Sequence, residues 1–317
     1  MIDYSIFYKE RLRLTSAHTW DIFISAFNST ERVQHVFKKI SAKEKHWLVH
    51  PEYGYEPVEH PNQAFAPERC NEADFIKQFF ETIGVNFTED KICIDITGFM
   101  RPQLLFLLLF LKHNGCKKFD AIYSEPRHYT KKEKTSFSDN VTEVRQVAGF
   151  EGCHAVDKSN DILVIGTGYD HSLIAHAAEN KDKARKVQIF GFPSLAPDMY
   201  QENILRAHKA AQSVGIEEIK DPFNFFAPAN DPFVTANVLK DIVKKIPENL
   251  RKSSLTNLYL CPVGTKPQVL GFGLYFLTEW QDKAASIIFP FCESYSKKTT
   301  KGISRIWKYQ IEFINPT

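Results

Sequence analysis

The sequence predicts an α/β protein: a Rossmann-like, mostly parallel sheet with helices on both faces and an internally duplicated β-loop-α-β half-unit. Two observations carry that expectation. Short apolar runs alternate with segments of helical periodicity at least six times along the 317 residues, the signature of a parallel sheet covered on both sides. One strand–loop–helix pattern also occurs twice. Residues 258–263 run into Gly264-Thr265-Lys266-Pro267-Gln268 and the apolar stretch 269–280; residues 92–96 run into Thr97-Gly98-Phe99-Met100-Arg101-Pro102-Gln103 and the apolar stretch 104–112. In each copy a Gly opens the loop, a cation directly precedes a Pro, and a Gln follows it. A further strand comes after each helix, at 119–124 and 286–289. The chain reads as one large unit, 1–317, with a division into halves 1–150 and 151–317 as the alternative.

In chain order, 4–16 is a strand or docking arm and 20–27 (WDIFISAF) is the first buried strand. Ser29 and Thr30 then cap a helix over 31–40 with Val33, Val36, Phe37 and Ile40 on one face. A strand at 46–49 completes a β-α-β opening. His46, His50, Glu52 and His60 carry metal-ligand chemistry, but their spacing fits no metal motif, so a polar surface loop is the expectation and no metal site is assigned. Residues 57–67 read as a connector, and a helix over 72–83 leads to the first copy of the paired loop. Residues 127–142 read as an exposed basic loop and 144–150 as a short strand. A third strand, 161–165, ends in Gly166-Thr167-Gly168-Tyr169-Asp170-His171-Ser172 before a helix over 173–179. Residues 186–192 form its partner strand, followed by a helix over 198–214. Phe223-Asn224-Phe225-Phe226 is an aromatic loop, 232–245 a helix capped by Asp231, 247–254 a linker, and 303–313 a closing antiparallel edge strand.

Composition is that of an ordinary globular chain, with 43% hydrophobic and 25% charged residues. A net charge of +2 argues neither for nor against an acidic partner; the basic clusters at 131–134, 181–186 and 297–301 read as solvated loops, so a double-stranded nucleic acid is not expected. The longest strongly apolar run, 104–111, is too short to span a bilayer, and the N-terminus lacks the pattern of a signal peptide, so no membrane role is expected. The six cysteines are dispersed without Cys-x-x-Cys spacing, which suits a reducing, cytoplasmic setting.

The paired loops are the candidate ligand site. Gly allows a tight turn and Pro suits the first helical turn; uncommitted N–H groups beside Lys266 or Arg101 favour an anion, with phosphate the natural guest. The candidate binding residues are Thr97, Gly98 and Arg101; Gly166, Thr167, Gly168 and Tyr169; and Gly264, Thr265, Lys266 and Gln268. All three loops follow strands, and in one parallel sheet they would share a face. Asp170 and His171 are the candidate acid–base pair, although adjacency in sequence is not a catalytic geometry.

The Gly-Thr-Lys-Pro-Gln turn resembles the ligand-binding turn of CRISPR-associated Rossmann-fold (CARF) sensor domains, over about fifteen residues at each copy. That resemblance implies that Gly264, Thr265, Lys266, Pro267 and Gln268 contact a cyclic oligonucleotide, with Thr97, Gly98 and Arg101 as a pseudo-symmetric second set. Two departures stand against it: both copies lie in one chain, and no fused effector is visible. The opening β-α-β unit also resembles the start of Toll/interleukin-receptor-like domains, without an assignable nucleotide-cleaving glutamate.

Three functions follow as expectations. The first is a nucleotide- or phosphate-ligand-binding regulatory or sensor protein, part of a prokaryotic defence or signalling system. The second is an enzyme on a phosphorylated small molecule or nucleotide, using Asp170 or His171 with Lys266 and Arg101 as electrostatic clamps. The third is a structural subunit that docks a protein partner through Phe223, Phe225 and Phe226. No cofactor is assigned.

Overall fold

The strands that nucleate the structure are the ones whose residues are apolar on both faces. In the computed structural model, which describes residues 2–14, 19–129, 138–195, 199–209, 224–249, 255–297 and 299–314, β2 (Trp20–Ala26) buries six of its seven residues. β4 (Ile92–Asp95), β7 (Ile162–Gly166) and β10 (Leu258–Pro262) are buried throughout. Such runs fit only the interior of a parallel sheet with helices on both sides. The fold is mixed α/β and Rossmann-like, with two six-stranded, mostly parallel sheets and seven α-helices among the described residues.

The two sheets belong to two compact units, one formed by Phe7–Phe137 with Ser294–Asn315, the other by Met1–Ile6 with Ser138–Glu293. In the first unit β3 (Ala42–Leu48), β2, β4 and β5 (Lys118–Tyr129) run parallel. β12 (Thr300–Glu312) then joins β5 antiparallel, and β1 (Lys9–Arg11) closes the edge against β12. α1 (Glu31–Lys39) connects β2 to β3 and packs towards β5 and β12. α2 (Glu72–Thr82) and α3 (Arg101–His113) pack on each other. The core beneath α1 gathers Trp20, Phe23, Val36, Ile40, Cys93 and Ile122.

In the second unit the order is β6 (Ser138–Gln146), β11 (Ala285–Tyr295), β10, β7, β8 (Arg185–Gly191), β9 (Asn224–Ala227). The five strands from β11 to β9 are parallel. α4 (His171–Asn180) follows β7, α5 (Met199–Lys209) follows β8, α6 (Pro232–Asn249) follows β9, and α7 (Lys266–Tyr275) follows β10. α7 continues in a π-helical turn over Phe276–Trp280. It packs on α6 so closely that a Cβ on Gly271 would lie 2.3 Å from the Pro232 carbonyl oxygen. No helix among the described residues is long and apolar enough to cross a membrane.

Both sheets reverse their winding between two central strands, β2 and β4 in one and β7 and β10 in the other. Ligands of open α/β sheets gather in the crevice beyond the carboxyl ends of such strands. The loops 97–103 and 264–268 follow β4 and β10, each at the switch point of its own sheet, which does not by itself establish the expected internal duplication.

Several boundaries differ from the sequence expectation, each for a tertiary reason. Residues 224–227 are strand, not loop, because β9 pairs with β8. The predicted exposed loop at 127–142 is strand up to Tyr129 and again from Ser138, with 130–137 outside the described residues. β5 runs through Pro126, which is tolerated because β4 has ended and only β12 pairs there. The start of the predicted linker, 247–249, belongs to α6. The closing strand is antiparallel but not at the edge, because β1 lies outside it. Thr97–Gln103 and the other two candidate loops belong to different sheets, so one shared sheet face does not unite all three.

Candidate functional site

In the second unit the switch point brings together two loops that lie far apart in sequence. β7 and β10 pair in register from Ile162↔Leu258 to Gly166↔Pro262, so their following residues emerge side by side. A Cβ on Gly168 would lie 2.1 Å from the Val263 carbonyl oxygen, and one on Gly264 would lie 3.3 Å from that of Thr167. Only glycine permits the approach at Gly168. Gly166, Thr167, Gly168, Gly264 and Gln268 are buried, and Tyr169, Asp170, Thr265 and Lys266 are half-buried around them.

Several of these side chains are committed to structure. Thr167 donates through both its amide and its Oγ1 to the Ile189 carbonyl, at 2.9 and 3.0 Å, tying the loop to β8. Thr265 and Gln268 form a capping box at the start of α7, in which Gln268 Oε1 accepts from the Thr265 amide at 3.1 Å and Thr265 Oγ1 accepts from the Gln268 amide at 3.4 Å. The uncommitted N–H groups expected at this turn are therefore largely satisfied internally. Lys266 is the first residue of α7, and that first turn holds no acid. A cation there opposes the positive end of the helix dipole, which is the arrangement an anionic ligand relieves. Gln268, 1% exposed, leaves Nε2 without a hydrogen-bond partner among the described residues.

Asp170 is the N-cap of α4 and accepts from the Ser172 amide at 3.1 Å. His171, next to it, has its Nδ1 buried without a hydrogen-bond partner among the described residues. Of the aromatic residues, Phe225 is half-buried and Phe226 is 41% exposed; Phe223 lies outside the described residues.

The first unit repeats the geometry with different chemistry. A Cβ on Gly98 would lie 2.1 Å from the Ala26 carbonyl oxygen, so the loops after β2 and β4 also touch. Thr97 Oγ1 accepts from the Ser124 amide at 3.0 Å. Beneath it the fully buried Asp95 accepts from the Thr97 amide at 3.0 Å and from Ser25 Oγ at 3.2 Å. Burial pushes the Asp95 carboxyl up to about 6, against those hydrogen bonds and the nearby Arg32 guanidinium. Arg101 opens α3 as Lys266 opens α7, again with no acid in the first turn. Gln103 donates from Nε2 to Glu52 Oε1 at 3.1 Å, and burial raises the Glu52 carboxyl above its ordinary value. His50 Nε2 accepts from the Met100 amide at 3.2 Å; no group of three or more metal-ligating side chains occurs among the described residues.

Residues that sequence reasoning passed over complete this second crevice. Arg32 donates from Nη1 to the Ser124 carbonyl at 2.7 Å and lies 5.9 Å from the centroid of the Tyr123 ring. Tyr53 donates to the Gly98 carbonyl at 3.1 Å, and Tyr55 accepts from the Ser29 amide at 2.9 Å. The one local signal was Arg32 itself, a cation in the first turn of a helix, where the dipole disfavours it.

No protein-family model matches the chain, and a search of curated proteins finds no match.

Proposed function

We propose that this protein is a nucleotide- or phosphate-ligand-binding regulatory protein, a sensor acting in the cytoplasm within a prokaryotic defence or signalling system. One observation carries the proposal: Lys266, at the start of a helix whose first turn holds no acid, stands at the switch point where the loop after β10 meets Gly166–Asp170. A cation at the carboxyl ends of parallel strands is an arrangement that suits a phosphate. The likeness of the Gly-Thr-Lys-Pro-Gln turn to that of CARF sensor domains supports a nucleotide as the class of ligand. Six cysteines without a disulfide support the cytoplasmic setting.

The test is thermal unfolding against nucleotides, dinucleotides, cyclic oligonucleotides and sugar phosphates, followed by mass spectrometry of each mixture. A ligand at a hundredfold excess over its Kd stabilises the native state by about 2.7 kcal/mol. The expected result is a shift with the ligand recovered intact, reduced in Lys266→Ala while the unliganded melting temperature stays close to the parent's. A full shift in the variant removes Lys266 from the site; a chemically altered ligand replaces the sensor with an enzyme.

A further inference from the structure

We propose that the first unit carries an anion site of its own, in the crevice beyond β2 and β4, where Arg32 and Arg101 hold a phosphate or pyrophosphate group. The inference deepens the function proposed above, since it takes the same class of ligand, but it stands on different residues.

Asn71 caps α2, Asp170 caps α4 and the Thr265–Gln268 pair caps α7. α1 and α3 have no side-chain cap, and these are the two helices that leave β2 and β4 at the switch point. An uncapped helix start leaves N–H groups and the positive end of the dipole to be met by something else.

Arg32 is half-buried, makes no ion pair among the described residues, and has its Nε buried without a hydrogen-bond partner. Its Nη1 bond to Ser124 holds the guanidinium in place, so the fork is pre-organised. Thr30, the N-cap of α1, is 6% exposed and its Oγ1 also lacks a partner among the described residues. Burial pushes the Tyr53 phenol up to about 12, and Arg32 and Arg101 both pull against that rise; the same two guanidiniums oppose the burial of Tyr123. Both cations therefore act on the same two phenols, and Arg32 lies 5.9 Å from the Tyr123 ring. Of the acids nearby, Asp95 accepts from Ser25 and Thr97, Glu125 accepts from Trp307 Nε1 at 2.7 Å, and Glu31, beside Arg32 in the first turn of α1, is exposed. Two arginines in the first turns of two uncapped helices match a tetrahedral oxyanion, which accepts several charge-assisted hydrogen bonds at once.

Two measurements on the full chain use inorganic pyrophosphate as the probe, with chloride matching ionic strength. The first maps phenylglyoxal modification of arginines by mass spectrometry. Pyrophosphate should slow modification of Arg32 and Arg101 several-fold while other exposed arginines react as before. An unchanged rate at Arg32 under saturating pyrophosphate overturns the proposal, and needs no variant to fold. The second is the pyrophosphate-induced melting shift in Arg32→Gln and Lys266→Ala. The expected result is a shift reduced in Arg32→Gln and still present in Lys266→Ala. A shift untouched by Arg32→Gln but abolished by Lys266→Ala overturns this site and leaves the one at Lys266 standing. A shift abolished by Arg32→Gln and untouched by Lys266→Ala supports this site and removes the other. No shift in the parent chain also overturns it.

Discussion

Asp95 shows how a single buried group ties the first unit's fold to pH. Its ordinary value is 3.8, and burial raises it to about 6 in the folded chain. Between these values the native state holds a proton that the unfolded chain has released. The contribution is therefore fully present below pH 3.8 and is lost as pH rises through about 6. Compared with Asp95→Asn, the parent should lose about 3 kcal/mol of stability across that window. Denaturant midpoints of both proteins, measured as a function of pH and subtracted, remove the contribution of every other carboxylate. A difference that stays flat from pH 4 to pH 6 would mean that the carboxyl ionises as easily folded as unfolded. Glycines illustrate the same scale without titration: Gly98 and Gly168 each sit where a Cβ would meet a carbonyl oxygen at 2.1 Å, so sequence punctuation at these positions marks contact between two strand ends.

The start of α7 shows how far an element can be read from its letters. Gly-Thr-Lys-Pro-Gln suggests an anion loop, yet Thr265-Lys266-Pro267-Gln268 also spells a capping box, and the structure builds that box. Thr265→Ala should therefore lower stability by about 1 kcal/mol, read as a lower urea midpoint with unchanged slope, and Thr265→Ser should restore it. An Ala variant as stable as the parent would show that the box contributes nothing and leave the hydroxyl for a ligand. The strands that sequence periodicity placed well, β2, β4, β7, β8 and β10, are those buried on both faces, where an apolar run is required. β9 was missed because Asn224-Phe225-Phe226-Ala227 is short, lies at a sheet edge and has only β8 to pair with. β5 beyond Pro126 was missed because its one partner there, β12, is remote in sequence. The crevice around Arg32 was legible only as a misplaced charge, since Tyr53, Gly98 and Tyr123 reach it from three separate elements.

Sheet order lies beyond local pattern, and β12 shows why that matters for the whole molecule. Alternation of strands and helices implies parallel sheets but does not say that the last strand returns to the first unit, between β5 and β1. There Tyr309 and Ile311 are fully buried, Trp307 bonds Glu125, and Lys308 pairs with Glu10 at 2.7 Å. Removing residues 300–314 would strip β5 of its antiparallel partner and leave Glu125, 1% exposed, without its Trp307 donor. A buried carboxylate stripped of a donor and an open sheet edge are each destabilising, together by several kcal/mol, on the order of a whole domain's stability. The six strands of the second sheet lie between Ser138 and Tyr295 and survive that deletion. Hydrogen exchange of the truncated chain should therefore show amide protection in β2, β4 and β5 falling to that of an unfolded segment while β7, β8 and β10 remain protected. Loss of protection everywhere would mean that the two units fold as one cooperative body. Protection unchanged in β2 and β4 would show that the parallel strands of the first unit hold together without the returning strand.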